Sequence, residues 1–338
     1  MDKTKTIRVG LIGPGSIADE RLIPALSNIE AAVFWSVLGR DLEKAKKFSE
    51  KHGAAATQAA FADLDAFLAD PQLDAVIVAS PDKLHAQQAI ACARSGKHVF
   101  VEKPLATSAG DARAIVQACQ DAGVKLAVGY HLRYHAGHRK VHSLLADPST
   151  SPIGDIRHIN VSWTLQSKVA DWRADDKLGQ WWSLAALGTH SLDLVTWLLA
   201  GAKVQSTTCL TASPVFGSAH DETSLVGLVF ESGVTAQILS SVVMRAPRVV
   251  EIFGSKGAVR CLETLGPRGT GTITVNGEEL KFEPVDPYEG EIADFVLSVQ
   301  SGGQPCVSGA DGAANVELLE QLAGQSAQLK SAASEGFC

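Results

Sequence analysis

A chain of 338 residues with 46% hydrophobic composition is long enough to bury two cores more readily than one. Its net charge of −7 argues against nucleic acid or an anionic membrane as the main partner, and no apolar run is long enough to span a bilayer. The opening Met1-Asp2-Lys3-Thr4-Lys5-Thr6 is polar, and Cys92, Cys119, Cys209, Cys261, Cys306 and Cys338 are scattered without a C-x-x-C pair, so reduced thiols and a cytoplasmic protein are expected.

In chain order, Ile7-Arg8-Val9-Gly10-Leu11-Ile12 reads as a short strand, followed at once by Gly13-Pro14-Gly15-Ser16-Ile17-Ala18 and a helical pattern through Leu26. Strand, glycine turn and helix in that order suit a dinucleotide pyrophosphate. Gly13 permits the tight turn, Gly15 lets backbone approach the anion, and small Ala18 allows close helix packing. A second strand, residues 32–38, ends in Gly39-Arg40-Asp41. A carboxylate at that end binds the ribose 2′-hydroxyl of NAD, whereas a nearby arginine accommodates the 2′-phosphate of NADP. Gly39 followed by Arg40 favours NADP, with NAD as the alternative; Asp41 reads best as the N-cap of the next helix. Residues 73–79 form a continuously apolar strand closed by Ser80-Pro81-Asp82, and a helix over 85–95 ends on Gly96. Lys97-His98-Val99-Phe100-Val101-Glu102-Lys103-Pro104 is then an apolar strand stopped by proline, which places Lys103 at a carboxyl-end edge, where open parallel sheets bind ligands. A helix over 110–121 and a strand over 125–130 complete the alternation expected of a doubly wound parallel sheet.

The glycine turn, Ser80-Pro81-Asp82-Lys83-Leu84-His85 and Gly96-Lys97-His98-Val99-Phe100-Val101-Glu102-Lys103-Pro104, taken together, resemble the Gfo/Idh/MocA oxidoreductases. The resemblance implies a Rossmann domain over residues 1–130 and a substrate-binding and oligomerisation domain over 131–338. It also implies that Lys103 lies beside the nicotinamide and hydrogen-bonds the reacting oxygen. A cis Lys103–Pro104 bond is expected, since an X–Pro bond loses little by being cis and a fixed turn would aim the lysine.

After Tyr130 the pattern changes to alternating strands over 156–165, 206–211, 224–230, 234–243, 249–254, 258–262 and 272–275, joined by turns such as Asn276-Gly277. This predicts a largely antiparallel open sheet whose uncovered face needs a second copy of the chain, giving at least a dimer. Residues 172–193 align without a gap to the family stretch from Trp-Arg through three glycines to Asp-x-Gly-x-His-x-x-Asp. Here the three glycines are Gln180-Trp181-Trp182 and the first aspartate is Ala186. His190 is the candidate base for a hydroxyl proton, and Asp193, three residues on, is placed to orient or charge its imidazole. Trp181 and Trp182 read first as core or subunit packing, with sugar stacking as the alternative. Trp172-Arg173 offers a substrate-facing cation or a loop anchor. His131, His135, His138 and His142 do not read as a metal site; the resemblance puts His131 and Arg133 at the substrate entrance, and the others read as a solvated helix face. Helices over 287–302 and 313–331 read as packing elements, and the tail 334–338 as frayed.

The sequence therefore predicts a hydride-transferring oxidoreductase acting on a sugar, cyclitol or related polyol. Its catalytic candidates are Lys103, His190 and Asp193. Cofactor contacts fall to Gly13, Gly15, Ser16, Ile17, Arg40, Ser80, Pro81, His85, Glu102 and Lys103, and substrate contacts to His131, Arg133, Trp172, Arg173 and His190. Two rivals persist: a non-catalytic NAD(P)-binding sensor, kept open by Ala186, and an enzyme holding NAD(P) tightly for transient oxidation.

Overall fold

The computed structural model describes residues 5–335, with side chains through Ser326; the polar lead before Lys5 and the tail from Gly336 lie outside the described residues. The chain divides into two compact units, one of residues 5–131 with Tyr288–Val316, the other of Leu132–Pro287 with the chain from Glu317 onward. The division anticipated from sequence ran unbroken from residue 131, whereas Tyr288–Val316 returns to the first unit.

The first unit is built on a parallel sheet of β1 (Ile7–Ile12), β2 (Ala32–Leu38), β3 (Ala60–Phe61), β4 (Ala75–Val78), β5 (His98–Val101) and β6 (Leu126–Val128), in the order β3-β2-β1-β4-β5-β6. That order reverses between β1 and β4, the switch point at which open α/β sheets bind ligands. The connecting helices are α1 (Ile23–Ser27), entered through a π-type turn at Ala18–Leu22, α2 (Leu42–His52), α3 (Leu64–Leu68), α4 (His85–Arg94) and α5 (Ala109–Asp121). Ile7, Val9 and Leu11 of β1 pack with Leu22, Leu26 and Phe48 and with Ile292, Phe295 and Val296 of α8 (Pro287–Ser301, numbered in chain order with the helices of the second unit). A parallel sheet must be covered on both faces, and α8 supplies part of that cover. Fully buried side chains of this size each stabilise by about 1.5–3 kcal/mol relative to exposure. On the opposite face a β-carbon at Gly10 would lie 2.6 Å from the Phe67 ring, so α3 seats directly on β1.

The second unit holds a sheet of β7 (Ile156–Thr164), β8 (Val204–Ala212), β9 (Thr223–Phe230), β10 (Thr235–Ser241), β11 (Val249–Gly254), β12 (Ala258–Leu262), β13 (Thr272–Val275) and β14 (Glu278–Glu279). The order is β14-β13-β12-β11-β7-β10-β9-β8. All pairs are antiparallel except one, where β7 runs parallel to β10, so the meander read from the sequence is broken there. Ile159, Val161 and Trp163 of β7 alternate with part-buried polar residues, which gives the sheet one buried face. Helices α6 (Ala136–Leu145), α7 (Thr189–Leu198) and α9 (Gly309–Glu335) complete the described elements.

Candidate active site

The glycine turn after β1 is fixed by sterics. Gly13 has φ 92°, and a β-carbon there would lie 2.7–2.8 Å from the backbone of Ala79 and Ser80, so only glycine lets the turn lie against the end of β4. Gly15 is the reverse case: a β-carbon would meet nothing within 4 Å, leaving its face open for an anion. Ser16 and Ile17 follow immediately and lead into the π-type turn, a geometry frequent at functional sites. At the end of β2, Arg40 is exposed, while Asp41 Oδ1 accepts from the Glu43 and Lys44 N–H groups at 3.0 and 3.1 Å and so caps α2.

The ends of β4 and β5 lie side by side. Glu102 N–H donates to the Val78 carbonyl at 2.9 Å, and the buried Glu102 carboxylate accepts from Lys103 N–H at 3.1 Å. The Lys103–Pro104 bond is cis, as anticipated, and Lys103 is half-buried. His85, expected among the cofactor contacts, turns both ring nitrogens to backbone carbonyls, those of Pro104 at 2.9 Å and Ser80 at 2.8 Å. Lys97 is likewise turned inward, donating to the Asp70 and Leu73 carbonyls at 2.8 and 2.9 Å; burial lowers its pKa. His131, buried, stacks on Tyr288 with centroids 4.7 Å apart and planes 11° apart.

In the second unit His190 is buried on the first turn of α7, against Trp163 at 5.4 Å. A π-type turn at Leu184–Gly188 precedes it. The start of that segment is held by Asp221, whose carboxylate accepts from Trp182 N–H at 3.0 Å, Leu184 N–H at 2.8 Å and the Ser183 hydroxyl. Burial pushes the Asp221 carboxyl up, and these hydrogen bonds act against it. Asp193, expected to orient or charge the His190 imidazole, has both its oxygens gripped by Arg133, Nε to Oδ2 at 2.9 Å and Nη2 to Oδ1 at 2.7 Å, with side chains 10% and 2% exposed. Position 186 carries only a methyl group, its N–H donating to the Trp182 carbonyl at 2.7 Å. Trp181 and Trp182 are buried, Trp182 beside Phe216, which is the packing role. Arg173 lies over the Trp172 ring at 4.0 Å, each half-buried.

One expectation is overturned outright. His135 and His138 are not a solvated face: both are buried and stacked at 4.3 Å. His135 Nδ1 caps α6 by accepting from Gly137 and His138 N–H groups, its Nε2 donates to the Thr270 carbonyl, and His138 bridges the Leu132 carbonyl and the Thr264 hydroxyl. His142 stacks on Trp197 at 4.2 Å. Among the described residues, no group of three or more His, Cys, Asp or Glu side chains is arranged to hold a metal ion. Burial pushes the Cys92, Cys119 and Cys261 thiols up to about 12, which leaves them protonated and poor nucleophiles.

Two sequence models of one family match this chain, the GFO/IDH/MocA oxidoreductase family NAD-binding Rossmann fold over residues 7–130 and the GFO/IDH/MocA C-terminal domain over 138–260. The chain belongs to the GFO/IDH/MocA family. It is an NAD(P)-dependent oxidoreductase. Among relatives of this GFO/IDH/MocA protein, the 1,5-anhydro-D-fructose reductase of Ensifer adhaerens is 27% identical over 90% of this chain and 92% of its own. The D-xylose 1-dehydrogenase (NADP(+)) 2 of Haloferax volcanii is 27% identical over 88% and 90%. The crystal structure of aldose-aldose oxidoreductase from Caulobacter crescentus, complexed with glycerol, superposes with a TM-score of 0.87 at 23% identity, covering 96% of this chain and 98% of that one. Nothing in the local pattern marks Asp221 as the cap of a segment far upstream, or Arg133 as the partner of a carboxylate on α7.

Proposed function

We propose that this protein is an NADP-preferring dehydrogenase or reductase that interconverts a hydroxyl and a carbonyl on a sugar, cyclitol or related polyol. The observation that carries the reading is the end of β5, where Lys103 follows buried Glu102 at the carboxyl edge of a parallel sheet. The residues fit a dinucleotide: Gly15 leaves an open face, Gly13 takes a backbone that only glycine tolerates readily, and Ser16 and Ile17 complete the pyrophosphate turn. Arg40, exposed after Gly39, takes the 2′-phosphate. Ser80, Pro81, Glu102 and Lys103 hold the nicotinamide end, His85 through the carbonyls it fastens.

When bound, the nicotinamide takes up or supplies the hydride. Lys103 Nζ meets the charge that develops on the reacting oxygen, and a ring nitrogen of His190 takes or returns the hydroxyl proton. Asp193 acts through Arg133, whose guanidinium it fixes. Trp172 and Arg173, each half-buried, contribute aromatic and charged surface for a polyol. The names of the two relatives, a sugar reductase and a sugar dehydrogenase, support this substrate class.

The exposed sheet face supports assembly with a second copy: one row crosses it through Leu210, Leu225, Leu239, Ser162, Val249 and Leu262, apolar except at Ser162. Leu210 is 55% exposed and Leu225 39%. No helix among the described residues is long and apolar enough to cross a membrane, and a cytoplasmic site is the reading consistent with free thiols. The test is a panel of sugars and polyols with NADP⁺ and NAD⁺, followed by absorbance of the reduced nicotinamide. Turnover with NADP⁺ on at least one polyol is expected. Cofactor that co-purifies without net turnover would favour transient oxidation, and cofactor binding with no sugar chemistry would favour a sensor.

A further inference from the structure

The ladder between β4 and β5 ends at the bond from Glu102 N–H to the Val78 carbonyl. Past that rung Pro104 has no N–H to offer, and the other chain turns away at Ser80-Pro81. Two carbonyl oxygens are left where a further rung would lie, and neither can donate to the other. His85 stands between them, fully buried, with Nδ1 2.9 Å from the Pro104 oxygen and Nε2 2.8 Å from the Ser80 oxygen. A neutral imidazole has one N–H and one lone pair, so either tautomer would set a lone pair against a carbonyl oxygen at under 3 Å. Both contacts are hydrogen bonds only when both ring nitrogens carry protons.

We propose that His85 is an imidazolium in the folded protein and a positioning residue for Lys103. It supplies the rung the backbone cannot, tying the turn after β5 to the turn after β4. The positioning role rests on the reading of Lys103 as the group that meets the reacting oxygen. The charged groups along the tied segments are Asp82 and Lys83, in the short 3-10 turn between Pro81 and α4, and Glu102 and Lys103 ahead of Pro104. Asp82 and Glu102 on these segments are both buried.

Long-range ¹H–¹⁵N NMR of the full chain without cofactor tests the protonation state at pH 7.5. Two protonated ring nitrogens at His85 are expected, and a single neutral tautomer overturns the proposal. That readout needs no substrate, so it stands apart from any failure of the oxidoreductase reading. His85→Phe keeps a ring without donors, and His85→Gln restores an amide with two N–H groups. A displaced lysine should lower kcat about 10- to 100-fold in His85→Phe at saturating NADPH, with kcat partly recovered in His85→Gln. Wild-type kcat in His85→Phe overturns the positioning role. If that variant does not fold, the NMR result on the wild-type chain still decides whether the ring is charged, and His85→Gln carries the kinetic comparison.

Discussion

A β-carbon on Gly39 would lie 3.1 Å from Cγ and 3.3 Å from Cδ of Pro14, the proline of the glycine turn. Cofactor choice is thereby coupled to the pyrophosphate turn. An aspartate at 39, the residue type that binds an unmodified ribose, has to displace that ring. Gly39→Asp is expected to lower kcat/KM with NADP⁺ by at least about tenfold, through repulsion of the 2′-phosphate, without opening NAD⁺ use. Gly39→Asp with Pro14→Ala should then accept NAD⁺; steady-state kinetics with both cofactors reads this, and full NAD⁺ use by the single variant would remove Pro14 from the account. A second consequence at this scale concerns His135. Burial, the larger cause, lowers its pKa, so the folded state favours the neutral ring. The stability this carries is whole above the unfolded value of about 6.5 and is lost as pH falls through the lower folded value. Thermal unfolding should shift downward from pH 7.5 to 5, and less steeply in His135→Asn, which keeps a side-chain oxygen to cap α6. An equal slope in both proteins would contradict it.

Among elements, α7 carries the chemistry proposed for the second unit, and its geometry is set from outside itself. Asp221 holds the segment that leads into it, Arg133 holds Asp193, and Trp163 backs His190. His190→Ala should lower turnover about a hundredfold or more with little change in cofactor affinity, measured by steady-state rates and cofactor titration. Near-normal turnover would rule out His190 as the base. The same elements show how far the sequence could be read. Buried parallel strands are continuous apolar runs ended by Gly or Pro, so β1, β2, β4 and β5 and their turns were legible, and β5 delivered Lys103. Two-residue β3 is too short to show a period, and the π-type turns before α1 and α7 have no residue signature. Spacing on one helix reports only on that helix. His135 and His138 looked solvated because the residues that bury them, including Thr264 and Thr270, come from far along the chain. Arg133, which grips Asp193, was beyond the reach of helix spacing for the same reason, since it lies sixty residues earlier.

At the scale of the whole molecule, the outward row of Leu210, Leu225, Leu239, Val249 and Leu262, broken by a single polar residue at Ser162, is the feature a single chain leaves unexplained. Charging its middle tests whether a second copy covers it: Leu225→Glu should move the mass in light scattering from a dimer or larger assembly toward a monomer. A wild-type chain already monomeric at micromolar concentration would contradict that assignment. The central claim is that an NAD(P)-dependent oxidation or reduction of a polyol is carried out with Lys103 at the reacting oxygen. The most direct measurement is the rate of nicotinamide reduction or oxidation on the best substrate of the polyol panel, compared between the wild type and Lys103→Ala at saturating NADP⁺ or NADPH. The account predicts a loss of about a hundredfold to a thousandfold in kcat with cofactor still bound. An unchanged kcat in Lys103→Ala, or no polyol turned over by the wild type with either cofactor, would contradict it.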